Sequence, residues 1–289
     1  MKIAFVGLGN VGKTLAKALH DVGYEISGVM DMKREAAEEV ANQLGAGVYE
    51  TASNLATSAD LIFLTVPDRE IEKVCSELAI SRSFLSGSIV LHASGALSSL
   101  SLGTAKSLGC FAASFHPLQT FPDPQSGLRS LAGSIITLEG DEPAVEVCKQ
   151  LAQKLSCHPI VISTENKALY HAGACVVSNY MVTVVDIGLR ILEASGLDAK
   201  FTLDAVRPLM EATMQNILKL GTERALTGPV ARGDEQTIAN HIQAMQQRTP
   251  SLVNLYTVLG AATAELAERK NTIDSDQKER LLKNFNQEL

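Results

Sequence analysis

Short apolar runs alternate with amphipathic stretches through the first half of the chain. Lys2–Val6 reads as a buried strand, and Lys13–Val22 carries its apolar residues at helical spacing. Ile26–Met30 predicts a second strand, and Arg34–Leu44, rich in Ala and Glu, a surface helix. Leu61–Val66 is a continuous apolar run stopped by Pro67, the pattern of a central parallel strand. Ser88–His92, Cys110–Phe115, Ser134–Leu138 and Pro159–Ile162 predict further strands, with a helix over Ala144–Leu155. Such alternation predicts an α/β class, a doubly wound parallel sheet covered on both faces.

The pattern changes near Ser163–Thr164. Helical periods then cover Glu165–Ala194, Thr202–Leu220, Asp234–Gln247, Ser251–Arg269 and a last stretch near Gln277. Gly196 and the loop Gly228–Gly233 punctuate them. Two domains are therefore expected, 1–164 with the sheet and 165–289 all-α. Ala172–Val177 and Leu252–Ala264 hold more apolar surface than one small bundle buries, so a homodimer through the helical domain is expected.

Composition narrows the function classes. The net charge is −7 and no Lys/Arg run exceeds two residues, so the basic stripe of a nucleic-acid groove is missing. Five cysteines without CxxC spacing argue against both a disulfide framework and a zinc site, and no metal is expected. Gly7, Gly9, Asn10 and Gly12 break the apolar start too early for a secretory leader. No uninterrupted apolar run approaches the ~18 residues of a membrane span. A soluble, cytoplasmic protein is expected.

Gly7-Leu8-Gly9-Asn10-Val11-Gly12 fits G-x-G-x-x-G directly after a strand and at the opening of a helix. Gly7 permits the tight turn, Gly9 leaves room for a pyrophosphate, and Gly12 lets helix and strand approach. The free N–H groups at the helix start then face the phosphates. Asp31 closes the second strand, where an acid bonds ribose hydroxyls and repels a 2′-phosphate. Lys33 and Arg34 follow it at once and have the opposite preference. The cofactor is NAD(P)H, with NAD and NADP undecided. Thr65, Val66 and Pro67, at the end of the neighbouring strand, complete the expected cofactor contacts.

On the substrate side, Thr164 is a candidate N-cap that places Lys167 in the first turn of a long helix. His171 and Ser178 share its face. A buried Lys167 near a positive helix end has a lowered pKa, a useful state for giving a proton to a developing alkoxide and recovering it. The alternative is an ordinary solvated lysine. Ser94, in His92-Ala93-Ser94-Gly95 at a strand end, either bonds a substrate carboxylate or the nicotinamide amide, or caps a turn. His116 also ends a strand. Arg232, in the loop Thr227–Asp234, either clamps a carboxylate or pairs with Asp234.

Together VGLGNVG, LTVPD, HASGAL, FHPLQTF, LYHAGACVVSNY, RPLM and ALTGPVARGD resemble the Rossmann-like oxidoreductases that carry a helical domain of formerly unknown function. Ketopantoate reductase, pyrroline-5-carboxylate reductase and the 3-hydroxyacid dehydrogenases are the broader relatives. The resemblance implies hydride transfer from nicotinamide to a C=O or C=N carbon, with Lys167 and His171 catalytic. In the hydroxyacid enzymes an Asn stands where His171 is, so the substrate here is expected to differ. The resemblance implies first a small 2-oxo acid, with ketopantoate and pantothenate synthesis as the leading guess. The alternatives are an imine reductase of the pyrroline-5-carboxylate reductase type and a non-catalytic NAD(P)-sensing regulator.

Overall fold

The structure, a computed structural model, describes residues 1–286. One sheet has the strand order β3-β2-β1-β4-β5-β6-β7-β8. The apolar runs form its centre. β1 (Lys2–Val6) lies between β2 (Glu25–Met30) and β4 (Leu61–Leu64) and is parallel to both. β3 (Gly47–Val48), β5 (Ile89–His92) and β6 (Phe111–Pro117) extend the parallel part.

β7 (Ile135–Gly140) runs antiparallel to β6, and β8 (His158–Val161) follows the direction of β7. The expected doubly wound sheet is present, but its last two strands are reversed. The reason lies in α6 (Pro124–Leu131), which does not cross the sheet. It packs on α1 (Asn10–Asp21), where a Cβ on Gly127 would stand 2.7 Å from Thr14 Oγ1. The chain therefore re-enters at the edge it left, with Ile136 opposite Pro117.

Alternation along the strands builds a core on each face. Ile3, Phe5, Leu61 and Phe63 pack under α1, α2 (Arg34–Leu44) and α7 (Glu142–Lys154). Ala4, Val6, Ile62 and Leu64 pack under α3 (Ala52–Ala56), α4 (Asp68–Ile80) and α5 (Gly103–Lys106).

The first compact unit is Met1–Val177 and the second begins at Ser178. That boundary lies past the expected one at 164, because α8 (Lys167–Val177) is anchored to the sheet through Lys167 and Tyr170. The single helix expected over 165–194 is interrupted. A 3-10 turn over Thr164–Asn166 precedes α8, and Ser178 (φ −120°, ψ −73°) breaks the helix before α9 (Asn179–Ala194). By length and composition Thr164–Ala194 is apolar enough to cross a membrane, with mean hydropathy 1.5 over its best window. Lys167 and His171 punctuate the stretch, so its apolar residues do not form one uninterrupted run.

The second unit is helical throughout its described residues: α9, α10 (Ala199–Leu220), α11 (Thr222–Ala225), α12 (Glu235–Arg248), α13 (Val253–Arg269) and α14 (Ser275–Asn286). Ile238, Ile242, Ala264, Leu281 and Phe285 form its core. By contrast Val182 in α9 and Leu203, Leu209 and Leu218 in α10 are each more than half exposed.

Phe63 is fully buried, stacked on Phe5 at 4.8 Å and edge-on to Phe115 at 5.6 Å. Phe63→Ala is expected to cost about 3–5 kcal/mol. Urea unfolding monitored by circular dichroism checks the value, and a loss under about 1 kcal/mol would contradict this packing.

Candidate active site

The glycine turn follows β1 directly. Gly7 has φ +93°, and a Cβ there would lie 2.7 Å from Val66 N. Gly12 is as confined, since its Cβ would stand 2.7 Å from Thr65 Oγ1. Thr65 donates its hydroxyl hydrogen to Gly7 O at 2.6 Å, which fixes the turn against the end of β4. Gly9 is different, because a Cβ there would meet nothing within 4 Å. The open side of the turn thus lies over the start of α1, whose cap residue Gly9 offers no side chain to the first N–H groups. Strand, turn and open helix N-terminus fit a dinucleotide pyrophosphate.

Leu8 donates its N–H to Asp31 Oδ2 at 2.6 Å, and Lys33 N donates to Asp31 Oδ1 at 2.8 Å. Asp31 is therefore pinned beside the turn. Asn10 is turned away from it and donates to Phe121 O and Pro122 O, both at 2.9 Å. Its side chain ties the loop after β6 to the start of α1.

A row of buried polar side chains crosses the sheet beyond this turn. His92, Ser114 and Glu139 are register partners on β5, β6 and β7, and each is at most 1% exposed. His92 accepts the Ser94 N–H on Nδ1 at 3.2 Å, so its Nε2 donates to Ser98 O at 3.1 Å. Burial lowers its pKa to about 4. Glu139 accepts from Ser99 N, Ser99 Oγ and Thr164 Oγ1 at 2.5, 2.9 and 3.0 Å. Thr164 spends its hydroxyl there and does not cap the helix.

Lys167 closes over this row. It is 1% exposed and donates to Ser114 Oγ at 2.6 Å. Burial lowers its pKa to about 8, against the opposing pull of Glu139 and Asp68. The expected burial and lowered pKa are both present. The cause is desolvation.

Two histidine rings press on Gly95. A Cβ there would lie 2.7 Å from His116 Nε2 and closer still to His171 Nδ1. The rings stand edge to face with centroids 6.0 Å apart. His116 Nδ1 is 2.9 Å from Tyr170 Oη. Burial, with Lys167 and His171 adding to it, lowers the His116 pKa to about 3, and burial raises that of Tyr170. The His171 Nε2 lies 3.5 Å from Cys175 Sγ, while its Nδ1 is buried without a hydrogen-bond partner. The neutral imidazole of His116, a protonated phenol and an ammonium thus meet, with the His171 ring, at the carboxyl ends of β5 and β6.

Of the other residues predicted for the site, Ser94 lies beside His92, while Ser178 and Arg232 belong to the second unit. Ser94 is buried with its hydroxyl fully used, donating to Asp68 Oδ2 at 2.7 Å and accepting from Ala96 N and Leu97 N. In this structure it does the work of a turn cap. Ser178 is the helix break that opens the second unit. Arg232 is exposed on that unit, and Asp234 spends its carboxylate capping α12 through Thr237. Ser114, Glu139, Tyr170 and Asp68 are functional candidates that sequence reasoning missed. Only Tyr170 had a signal available, since it stands one residue before His171 in the helix already suspected.

Residues 2–94 match the family described as NADP oxidoreductase coenzyme F420-dependent. Residues 134–263 match the domain of unknown function DUF2520. The chain is an NAD(P)-dependent oxidoreductase. Protein TM1727 from Thermotoga maritima is similar to it at 29% identity over 93% of this chain and 99% of that one, with a TM-score of 0.75. An imine reductase from Myxococcus stipitatus in complex with NADP+ shares the fold at 14% identity, covering 98% and 100% of the two chains with a TM-score of 0.64. So does a pyrroline-5-carboxylate reductase from Coxiella burnetii, at 18% identity, 93% and 97% coverage and a TM-score of 0.55. No protein of curated function matches the sequence.

In this oxidoreductase the state of Lys167 can be tested through stability. Below its native pKa of about 8 both folded and unfolded chains carry the proton, and the folded state bears the whole desolvation cost. As pH rises from about 8 towards 10.5 the folded state releases the proton first, so this contribution to stability rises. Lys167→Met lacks that term. Its advantage over wild type in urea unfolding is expected to be largest near pH 7 and to shrink by pH 10; a difference independent of pH would contradict the burial.

Proposed function

We propose that this oxidoreductase reduces the C=N bond of a small cyclic or secondary imine with NAD(P)H. The observation that carries the reading is the absence, among the described residues, of a free cation beside the histidine pair. Lys167 is buried with its Nζ committed to Ser114, and burial keeps His116 uncharged. A substrate carboxylate would find no ready counter-ion among these groups, whereas an imine needs none. The imine and pyrroline-5-carboxylate reductases that share the fold supply the same reaction class by analogy.

Bound NAD(P)H supplies the hydride. Tyr170, held protonated by burial and oriented by His116, supplies the proton that turns a neutral imine into its iminium. The His171 ring lies against Gly95 beside that of His116. Lys167 is a positioning residue here, because its Nζ is committed to Ser114 and sealed from solvent. A second reading is reduction of a 2-oxo acid, ketopantoate first. The Tyr170 hydroxyl favours it, since an alkoxide product also needs a proton.

NAD(P)H oxidation with a panel of cyclic imines and 2-oxo acids, ketopantoate included, separates the two readings. Turnover of imines is expected, with Tyr170→Phe lowering kcat about 100-fold and KM changing little. Turnover confined to oxo acids would replace the first reading with the second.

We further propose a soluble, cytoplasmic homodimer built through the helical residues. Val177, Val182, Leu209 and Leu218 are each at least 68% exposed, and a second copy would cover such apolar side chains. The five free cysteines suit a reducing compartment. Light scattering should return twice the 30.8 kDa chain mass, and a monomer at micromolar concentration would refute the dimer.

A further inference from the structure

The ribose end of the cofactor site holds a charge arrangement that no single sequence position announces. The parallel pairing of β2 with β3 sets Val29 opposite Val48, which carries Glu50 to the place where Asp31 follows the end of β2. Asp31, Arg34, Tyr49 and Glu50 line one cavity there. Arg34 is the only cation among its lining residues, and it is already engaged. Its Nε donates to Glu38 Oε1 at 2.8 Å, and its Nη1 lies 3.6 Å from Glu50 Oε1. Lys33 is exposed and does not line the cavity.

We propose that this site is built for NAD(H) and excludes the 2′-phosphate of NADP(H), with Glu50 acting beside Asp31 as a second selectivity residue. A 2′-phosphate brings close to two negative charges. To be held, it must draw Arg34 away from two carboxylates and stand next to a third that backbone N–H groups fix in place. A ribose 2′-hydroxyl meets no such opposition, since it donates to a carboxylate. Arg34 and Glu50 are 69% and 84% exposed in their side chains, so screening limits the discrimination to about tenfold. The family matched over residues 2–94 is described by NADP, and the carboxylates around Arg34 run against its 2′-phosphate. The inference rests on the dinucleotide site and is independent of which bond is reduced.

The test is binding of NADH and NADPH to the whole protein, without substrate, followed by fluorescence titration. NADH is expected to bind about tenfold more tightly. Glu50→Gln should strengthen NADPH binding by about threefold or more and leave NADH within about twofold. Arg34→Ala should leave NADPH affinity nearly unchanged, because that guanidinium is held by acids of the protein itself. NADPH binding as tight as NADH in the wild type overturns the proposal. So does a tenfold loss of NADPH affinity in Arg34→Ala, or an unchanged NADH/NADPH ratio in Glu50→Gln. All the replaced groups are exposed, so thermal melting close to wild type verifies that each variant is folded. If neither cofactor bound, the dinucleotide site itself would be refuted, a distinct result.

Discussion

Moving an ammonium group out of water costs several kcal/mol unless the interior supplies charge and hydrogen bonds in return. Lys167 meets that requirement through Ser114, with Glu139 and Asp68 opposing its desolvation. The buried contact holds the start of α8 on the sheet, and the rest of the site follows from it. Once Lys167 is fixed, Tyr170 reaches His116 and His171 meets Gly95. Gly95 is then the residue the arrangement permits, because any side chain there would collide with both rings. The polar row His92–Ser114–Glu139 has the same logic: each buried group is hydrogen-bonded, so the layer is held in one arrangement.

The cofactor side rests on close approach of backbone segments. Gly7, Gly12 and the Thr65 hydroxyl leave no space between the turn and β4, while Gly9 stays open. These are opposite requirements on three glycines in one hexapeptide. Asp31 is locked to the same turn through Leu8, so the phosphate-binding and ribose-binding ends are one rigid piece.

Much of the fold was legible because its signals are local. β1 and α2 appear with the expected ends and β2, β4, β5, β6, β7 and β8 within two residues, while the two-residue β3 was not expected. The glycine turn was legible for the same reason: the steric needs of a tight turn and a bare helix start are written in consecutive residues. The antiparallel end of the sheet was not, since a helix between two strands suggests a crossover and nothing local says that α6 rests on α1. The break at Ser178 was likewise hidden in a continuous helical period.

By itself the sequence determined a dinucleotide-binding α/β unit, a following helical region, and Lys167 and His171 as the residues to watch. It also posed a conflict between Asp31 and the pair Lys33/Arg34 that it had no means to resolve. Only the tertiary structure decided the rest. It placed Glu50 beside Arg34, Ser114 and Glu139 beneath Lys167, and Tyr170 against His116. The physical reason is that charge and hydrogen-bond partners act through distances of a few ångströms, and these partners lie 16 to 54 residues apart along the chain. Strand pairing brings them together, and pairing is a property of the sheet that no single segment contains.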